Sequence, residues 1–126
     1  MKLLLDTHVL LWWLADDHRL HERVAKAIAR GDNEVLVSAA SVWEVEIKRA
    51  KGTLHAPDDL LDQIAACGFG LLAIAGSHAR AAGRLPQHHH DPFDRMLVAQ
   101  ATAEDAALVT SDSALSAYGT AVLAAG

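Results

Sequence analysis

The sequence has little cysteine and a deficit of positive charge. Cys67 is the only cysteine among 126 residues, which excludes an internal disulfide and a cysteine-based zinc site. The chain has 11 lysines and arginines against 16 acids, for a formal net charge of -5. This balance excludes a globally basic nucleic-acid binder, so a nucleic-acid substrate would require a local basic patch.

Long hydrophobic runs are absent as well. Asp6 interrupts the apolar opening, and the next apolar run, from Val9 to Ala15, is too short to span a bilayer. We therefore expect neither a signal peptide nor a membrane anchor. With 52% apolar residues the chain can bury a substantial core, so we expect one domain over residues 1–126. The single cysteine suits a reducing cytoplasm, where we expect the protein to be located.

Short apolar segments alternate with helical patterns along the chain. The apolar segments are too short for helices and too continuously apolar for half-exposed strands, which indicates strands buried on both faces. They cover residues 2–6, 34–38, 70–74 and 107–112, with 121–125 as a candidate fifth. Helical patterns cover residues 9–15, 18–30, 39–51, 58–66, 77–84 and 92–104. The alternation predicts an α/β fold, with a mostly parallel sheet of four to five strands and helices on both faces.

Acidic residues stand where functional sites occur in such a sheet. Asp6 ends the first predicted strand and Asp112 ends the fourth. Open parallel sheets carry their sites at the carboxyl ends of strands, near the switch in strand order, and these two strands flank that switch if the order is 3-2-1-4-5. Asp94 shares a helical row with the apolar Val98, and Glu44 lies early in the helix after the second strand.

Each of these acids also has a purely structural interpretation. Asp6 could be a turn residue, Asp112 could cap the next helix, and Asp94 could be a first-turn acid favoured by the helix dipole. Glu44 could close a capping box with Ser41. Taken together, acids on four separate elements at one edge of the sheet favour a shared site.

A cluster of carboxylates requires positive charge nearby. Two carboxylates about 4 Å apart repel by roughly 4 kcal/mol even at an effective dielectric of about 20. All-oxygen ligands favour a hard cation, Mg²⁺ or Mn²⁺, which also engages phosphate oxygens. The chemistry that suits such a site is phosphodiester hydrolysis by water activated on one or two metal ions.

The chain resembles the PIN-domain ribonucleases, specifically the VapC toxins of bacterial type II toxin–antitoxin pairs. The resemblance lies in four segments that follow one another along nearly the whole chain: LLLDTHVLLWWL, VSAASVWEVEIKRAKG, HHHDPFDRMLVAQA and LVTSD. The most specific part is DPFDRMLVAQA. One departure is His90, because similar sequences often have arginine just before DPFDR.

This resemblance implies a PIN-like three-layer sandwich and a Mg²⁺- or Mn²⁺-dependent endoribonuclease. The metal-binding and catalytic acids that it implies are Asp6, Glu44, Asp94 and Asp112. Asp94 is favoured over Asp91, because the family's acid directly precedes RMLVAQA, and Thr110 matches a hydroxyl that supports the site. The resemblance also implies a homodimer and a cognate antitoxin whose tail blocks the groove.

Several residues are candidates for contact with RNA. A local basic patch could come from Arg95, Lys48, Arg49 and Lys51, although Lys48 is equally suited to pair with Glu44 at i,i+4.

Histidine and tryptophan runs offer further candidates, each with an alternative. His88 to His90 are adjacent on a loop and cannot easily all face one zinc ion, so a surface loop or an RNA contact at His90 is favoured. Trp12 and Trp13 could stack on bases, but packing in the core or in a dimer is the better interpretation.

Other protein classes fit the sequence less well. A phosphoacceptor receiver domain would need an aspartate after strand three and a lysine after strand five, but strand three ends in AIAG and no lysine follows Lys51. A haloacid-dehalogenase-type phosphatase would need aspartate where His8 stands. The remaining alternative is a PIN-like module that binds metal or protein without cleaving RNA.

Overall fold

Five parallel strands form one sheet in the computed structural model, which describes residues 1–126. The strands are β1 (Lys2–Leu5), β2 (Glu34–Ser38), β3 (Gly70–Leu72), β4 (Ala107–Thr110) and β5 (Val122–Ala124). Their order is β3-β2-β1-β4-β5, and each neighbouring pair is parallel. The predicted fold class is therefore confirmed, and the strand order is the one on which the placement of Asp6 and Asp112 is conditional.

Helices cover both faces of this sheet. They are α1 (Thr7–Leu14), α2 (Glu22–Ala29), α3 (Ala39–Ala50), α4 (Leu60–Ala66), α5 (Gly76–Gly83), α6 (Pro92–Glu104) and a short 3-10 helix (Ser113–Tyr118). The longest of them, α6, has 13 residues, and no helix combines the length and apolar character needed to cross a bilayer.

The alternation of side chains along β1 divides the core into two apolar clusters. Leu3 and Leu5 point to one face, where they join buried residues of α1, α2, α3 and α4. Leu4 points to the other face and packs with Leu97 of α6 and Leu115 of the 3-10 helix. All three leucines of β1 are fully buried, as expected for the central strand of a parallel sheet covered on both sides.

The third predicted strand is shorter and more exposed than the sequence pattern predicts. The segment 70–74 forms a strand only to Leu72, and the side chains of Leu71 and Ile74 are 54% and 40% exposed. The reason is topological, since β3 pairs only with β2 and lies at the edge of the sheet. The prediction of burial on both faces is therefore wrong for this segment.

Two helix boundaries also differ from the predicted ones. α1 begins at Thr7 rather than Val9, because the Asp6 carboxylate caps it directly after β1. α2 begins at Glu22 rather than near residue 18, because the preceding segment forms a turn. In that turn Leu20 N–H donates to Asp17 O at 3.1 Å.

Candidate metal centre

Four acidic side chains lie at the carboxyl edge of the sheet. Asp6 follows β1, and Glu44 lies in the second turn of α3, the helix that follows β2. Asp94 lies in the first turn of α6, and Asp112 comes two residues after β4. Because the strands are parallel, the chain leaves β1, β2 and β4 at the same edge. The structure therefore brings the predicted acids to one region of the molecule.

Asp6 and Glu44 form the deeper part of the site, which we call the inner pair. They are 6% and 5% exposed. Asp6 accepts hydrogen bonds from Val9 N–H at 2.8 Å and from the Thr110 hydroxyl at 2.5 Å. Glu44 accepts from the Thr7 hydroxyl at 2.6 Å, and its other oxygen lies 2.5 Å from the Lys48 ammonium. Each carboxylate oxygen of the inner pair thus has a partner within the protein.

Asp94 and Asp112 form the more accessible part, which we call the outer pair. Their side chains are 24% and 42% exposed. The imidazole of His89 approaches both acids, with Nε2 at 3.0 Å from Asp112 Oδ2 and at 3.5 Å from Asp94 Oδ2. Each of the three residues offers one potential ligand atom, and these atoms lie within 4.8 Å of one another. The two acids of the outer pair are therefore linked by the His89 side chain.

The electrostatics of the site disfavour the ionised forms of Asp94 and Asp6. Burial and, next, the neighbouring charge of Asp91 raise the pKa of Asp94 to about 7, although His89 opposes the rise. Burial also raises the pKa of Asp6, against the hydrogen bond from Thr110, which lowers it. A cation among these carboxylates would reverse both effects, because it stabilises their charged forms.

The donor set fits a hard divalent cation. Carboxylate oxygens are the ligands that Mg²⁺ and Mn²⁺ favour, and the acids that could hold such an ion are Asp6, Glu44, Asp94 and Asp112. Their mutual repulsion is unfavourable unless positive charge is bound or a proton is retained, as the raised pKa of Asp94 indicates. Their roles as ligands remain a prediction.

The structural interpretations of the acids are correct in part. Asp6 and Asp112 do cap helices, since they accept hydrogen bonds from Val9 N–H and Ala114 N–H. The proposed capping box between Ser41 and Glu44 is absent. Ser38 caps α3 instead, which places Ser41 and Glu44 inside the helix.

Asp91, not Asp94, provides the cap of α6. Its carboxylate accepts from the backbone N–H groups of Phe93 at 2.8 Å and Asp94 at 3.2 Å. Asp94 lies in the first turn of α6, as its structural interpretation predicts, and does not cap the helix.

The structure buries Arg95, which the sequence predicts as a candidate RNA contact. Arg95 is 8% exposed, and its guanidinium donates hydrogen bonds to backbone carbonyls at the end of α5 and in the segment that joins α5 to α6. These carbonyls belong to Ala82, Leu85, Pro86 and His89. Arg95 is therefore a structural clamp for the segment that carries His89.

The remaining predicted RNA contacts are accessible. The side chain of Lys48 is 36% exposed while it pairs with Glu44, so the predicted ion pair is present. His90 is exposed on the loop before α6. Both positions remain candidates.

An aromatic pair beside the acids is not predicted from the sequence. Trp43 is 61% exposed, and its ring meets that of Phe93 edge-on, with centroids 5.4 Å apart. These rings immediately precede Glu44 and Asp94 in the chain, so they flank two of the acids. Adjacency to the predicted acids was the only available signal. Trp12 and Trp13 instead pack against the apolar cluster on the α1 side of the sheet, as their preferred interpretation predicts.

His89 is the second functional candidate that the sequence did not single out. It is one of three consecutive histidines, and nothing in the sequence distinguishes it from His88 or His90. Only the fold of the loop brings its ring to the outer pair.

Comparison with known proteins gives a consistent assignment. Residues 3–120 match the PIN domain family. Ribonuclease VapC22 of Mycobacterium tuberculosis is 32% identical to this chain over 123 residues, which cover 91% of this chain and 90% of that protein.

Solved structures show the same fold. VapBC2 from Rickettsia felis, bound to a DNA fragment from its promoter, superposes with a TM-score of 0.72 over 100% of both chains at 15% identity. VapBC-5 from Mycobacterium tuberculosis, a member of the VapBC family of toxin–antitoxin systems, gives a TM-score of 0.59 at 20% identity, with 96% of this chain and 93% of that chain covered.

Proposed function

The chain belongs to the PIN domain family and, within it, to the VapC ribonucleases, and from that premise we propose that it is the toxin of a type II toxin–antitoxin system. The proposed activity is hydrolysis of RNA phosphodiester bonds by a Mg²⁺- or Mn²⁺-dependent endoribonuclease, a single PIN domain over residues 1–126. The observation that carries the proposal is the convergence of four acids from separate elements at the carboxyl edge of the sheet.

In this proposal the four acids have different roles. Asp6, Asp94 and Asp112 hold the cation, and Glu44 completes its shell or orients the attacking water. A divalent cation in such a site lowers the pKa of bound water and offsets the negative charge of the phosphate. Thr110 keeps Asp6 oriented through its hydroxyl.

Accessible side chains near the acids would bind the RNA. Lys48 presents an accessible ammonium beside Glu44, which would attract a phosphate of the RNA backbone. His90, on the exposed loop, is a second candidate contact. The exposed Trp43 offers a ring on which an unpaired base can stack.

The proposed partners follow from the family. We propose a cognate antitoxin protein and a homodimer that acts in the cytoplasm. The VapBC structures with the same fold support the antitoxin.

The first experiment is RNA cleavage by purified protein over a panel of structured RNAs that includes tRNAs. Wild type is assayed beside Asp6→Asn and Asp94→Asn, with Mg²⁺, with Mn²⁺ and with EDTA. We expect wild type to cleave only with metal and each variant to lose about 1000-fold in rate, because loss of several kcal/mol of metal-assisted stabilisation corresponds to that factor.

Asp105→Asn is the matched control, since it makes the same change at the exposed opposite end of α6. Its positive φ of 53° is a conformation that asparagine tolerates. The control should cleave like wild type. Full activity in Asp94→Asn, or cleavage that persists in EDTA, would remove the metal centre from the mechanism.

Two further results separate the alternatives. If no RNA is cut while calorimetry shows metal binding that depends on Asp94, the protein is a binding module rather than a nuclease. Growth arrest on expression, relieved by the product of a small neighbouring gene, would distinguish a toxin from a housekeeping ribonuclease.

A further inference from the structure

The imidazole of His89 is held at both of its nitrogens. Nδ1 lies 3.1 Å from the backbone nitrogen of Asp91, which donates its N–H to the ring. Nε2 lies 3.0 Å from Asp112 Oδ2 and 3.5 Å from Asp94 Oδ2. A flip of the ring would replace both nitrogens by carbons and lose these contacts, so the two bonds together fix its orientation.

These bonds also fix the tautomer of the neutral ring. Because Nδ1 accepts a hydrogen bond from Asp91, it carries a lone pair and no proton, so the proton resides on Nε2. Nε2 then donates to the Asp112 carboxylate. A protonated nitrogen has no lone pair for a metal ion, and the opposite tautomer would set two N–H groups against each other at Nδ1.

We propose that His89 is a positioning residue, which donates from Nε2 to the outer pair and orients Asp112 beside Asp94 without being a ligand of the cation. This inference deepens the proposed metal centre and rests on it. Residues that hydrogen-bond to metal ligands commonly fix the orientation of those ligands, and His89 would have this role toward Asp112.

The loop that carries His89 is itself anchored to α6. The Arg95 guanidinium donates to His89 O at 3.3 Å. The same Asp91 that donates to Nδ1 caps α6 through its side chain. The position of the ring is thus set by the first turn of the helix that carries Asp94.

The neighbouring histidines lack these contacts. The His88 ring packs edge-on against Tyr118, with centroids 5.1 Å apart. His90 is exposed on the same loop. Of the three consecutive histidines, His89 is the one that meets the acids.

The test is calorimetric titration with Mg²⁺ and with Mn²⁺ in the absence of RNA, so that its readout is independent of nuclease activity. It compares wild type, His89→Ala, His89→Gln and the control His88→Ala. We expect His89→Ala to weaken the binding of both cations by about 10- to 100-fold and His88→Ala to bind them like wild type. His89→Gln should recover most of the affinity, because its amide N–H can donate from near the position of Nε2.

Other results would overturn the proposal. Unchanged metal affinity in His89→Ala, beside a wild type that binds, refutes the role of His89 alone. A glutamine variant as weak as the alanine variant, with its native circular dichroism spectrum retained, points to a ligand rather than a donor. A wild type that binds neither cation refutes the metal centre and the proposed function with it.

Nitrogen NMR of the imidazole provides an independent readout. We expect His89 to show a protonated Nε2 and an unprotonated Nδ1, both before and after saturation with Mg²⁺. Movement of the proton to Nδ1 on addition of Mg²⁺ would identify Nε2 as a ligand and refute the proposal.

Discussion

The inner and outer pairs of the acid cluster are built in different ways. Asp6 and Glu44 are almost fully buried, and each of their four carboxylate oxygens has a protein partner. Asp94 and Asp112 are more exposed, and the Asp94 carboxylate meets only the more distant contact of His89. The fold thus supplies a partner to every carboxylate oxygen of the inner pair, whereas in the outer pair Asp94 meets only His89, and Asp112 meets His89 and Ala114 N–H. Substitutions that act mainly on one pair test this difference.

The largest effect is expected from Arg95→Lys, which releases the loop that supports the outer pair. A lysine ammonium cannot serve the four separated carbonyls that the guanidinium serves, so buried acceptors lose their donors. We expect the free energy of unfolding to fall by about 3 kcal/mol and the melting temperature by roughly 10 °C. Urea unfolding and thermal melts measure both.

Arg84→Lys is the control for this change, because Arg84 is exposed at the end of α5 and lies in the same region of the chain. It should leave stability within about 0.5 kcal/mol of wild type. If Arg95→Lys kept wild-type stability and weakened RNA binding instead, the result would support Arg95 as an RNA contact.

The second prediction concerns the titration of Asp94 in the metal-free protein. The pKa of Asp94 is about 7 in the folded state, above its ordinary value of 3.8, so the folded protein binds a proton that the unfolded chain has released. This stabilisation is complete below about pH 4 and is lost as the pH rises through about 7. With EDTA present, the free energy of unfolding should therefore decrease from pH 5 to pH 8, by up to about 1 kcal/mol per pH unit.

Two comparisons sharpen the pH prediction. Asp94→Asn should flatten the decrease, because the titrating group is gone. Saturating Mg²⁺ should reverse it in wild type, because metal binds the ionised carboxylates and its affinity rises with pH. A metal-free stability that rises between pH 5 and pH 8 would contradict the raised pKa.

The smallest effect is expected from Thr110→Val, which changes the shape of the side chain little and acts mainly on the inner pair. The change removes the hydroxyl donor to Asp6 and the acceptor of Asp112 N–H. Because Asp6 is buried, we expect a loss of about 1.5 kcal/mol in the free energy of unfolding, measured in urea.

Thr102→Val is the matched control, since Thr102 lies exposed on α6 and its hydroxyl bonds only to Val98 O and to Thr120. Its effect should stay within about 0.5 kcal/mol. Equal losses in both variants would mean that the bond to Asp6 has no special importance.

The sequence predicts the site to the extent that chain order controls it. Buried strands followed by acids, in an α/β alternation, are sufficient to place Asp6 and Asp112 at one edge, because parallel strands end on the same side. Helical spacing is sufficient to identify Asp94 as an acid on an apolar row. These inferences depend on residues close together in the chain.

The features that the sequence does not reveal depend on distant contacts. The burial of Arg95 is set by where the carbonyls of the α5–α6 segment point, and the exposure of Leu71 is set by the edge position of β3. The choice of His89 among three identical neighbours is made by the backbone of a loop. In each case local propensity is the same for several outcomes, and the tertiary structure selects one.

The hydrogen bond from Thr110 to Asp6 has a consequence for the order of events during synthesis. It joins residues that are 104 positions apart in the chain. A ribosome that adds about 5–20 residues per second therefore incorporates Asp6 roughly 5 to 20 s before Thr110. Until β4 has inserted beside β1, the hydrogen bond between Thr110 and Asp6 cannot form, so the acid cluster is completed only after β4 has been made.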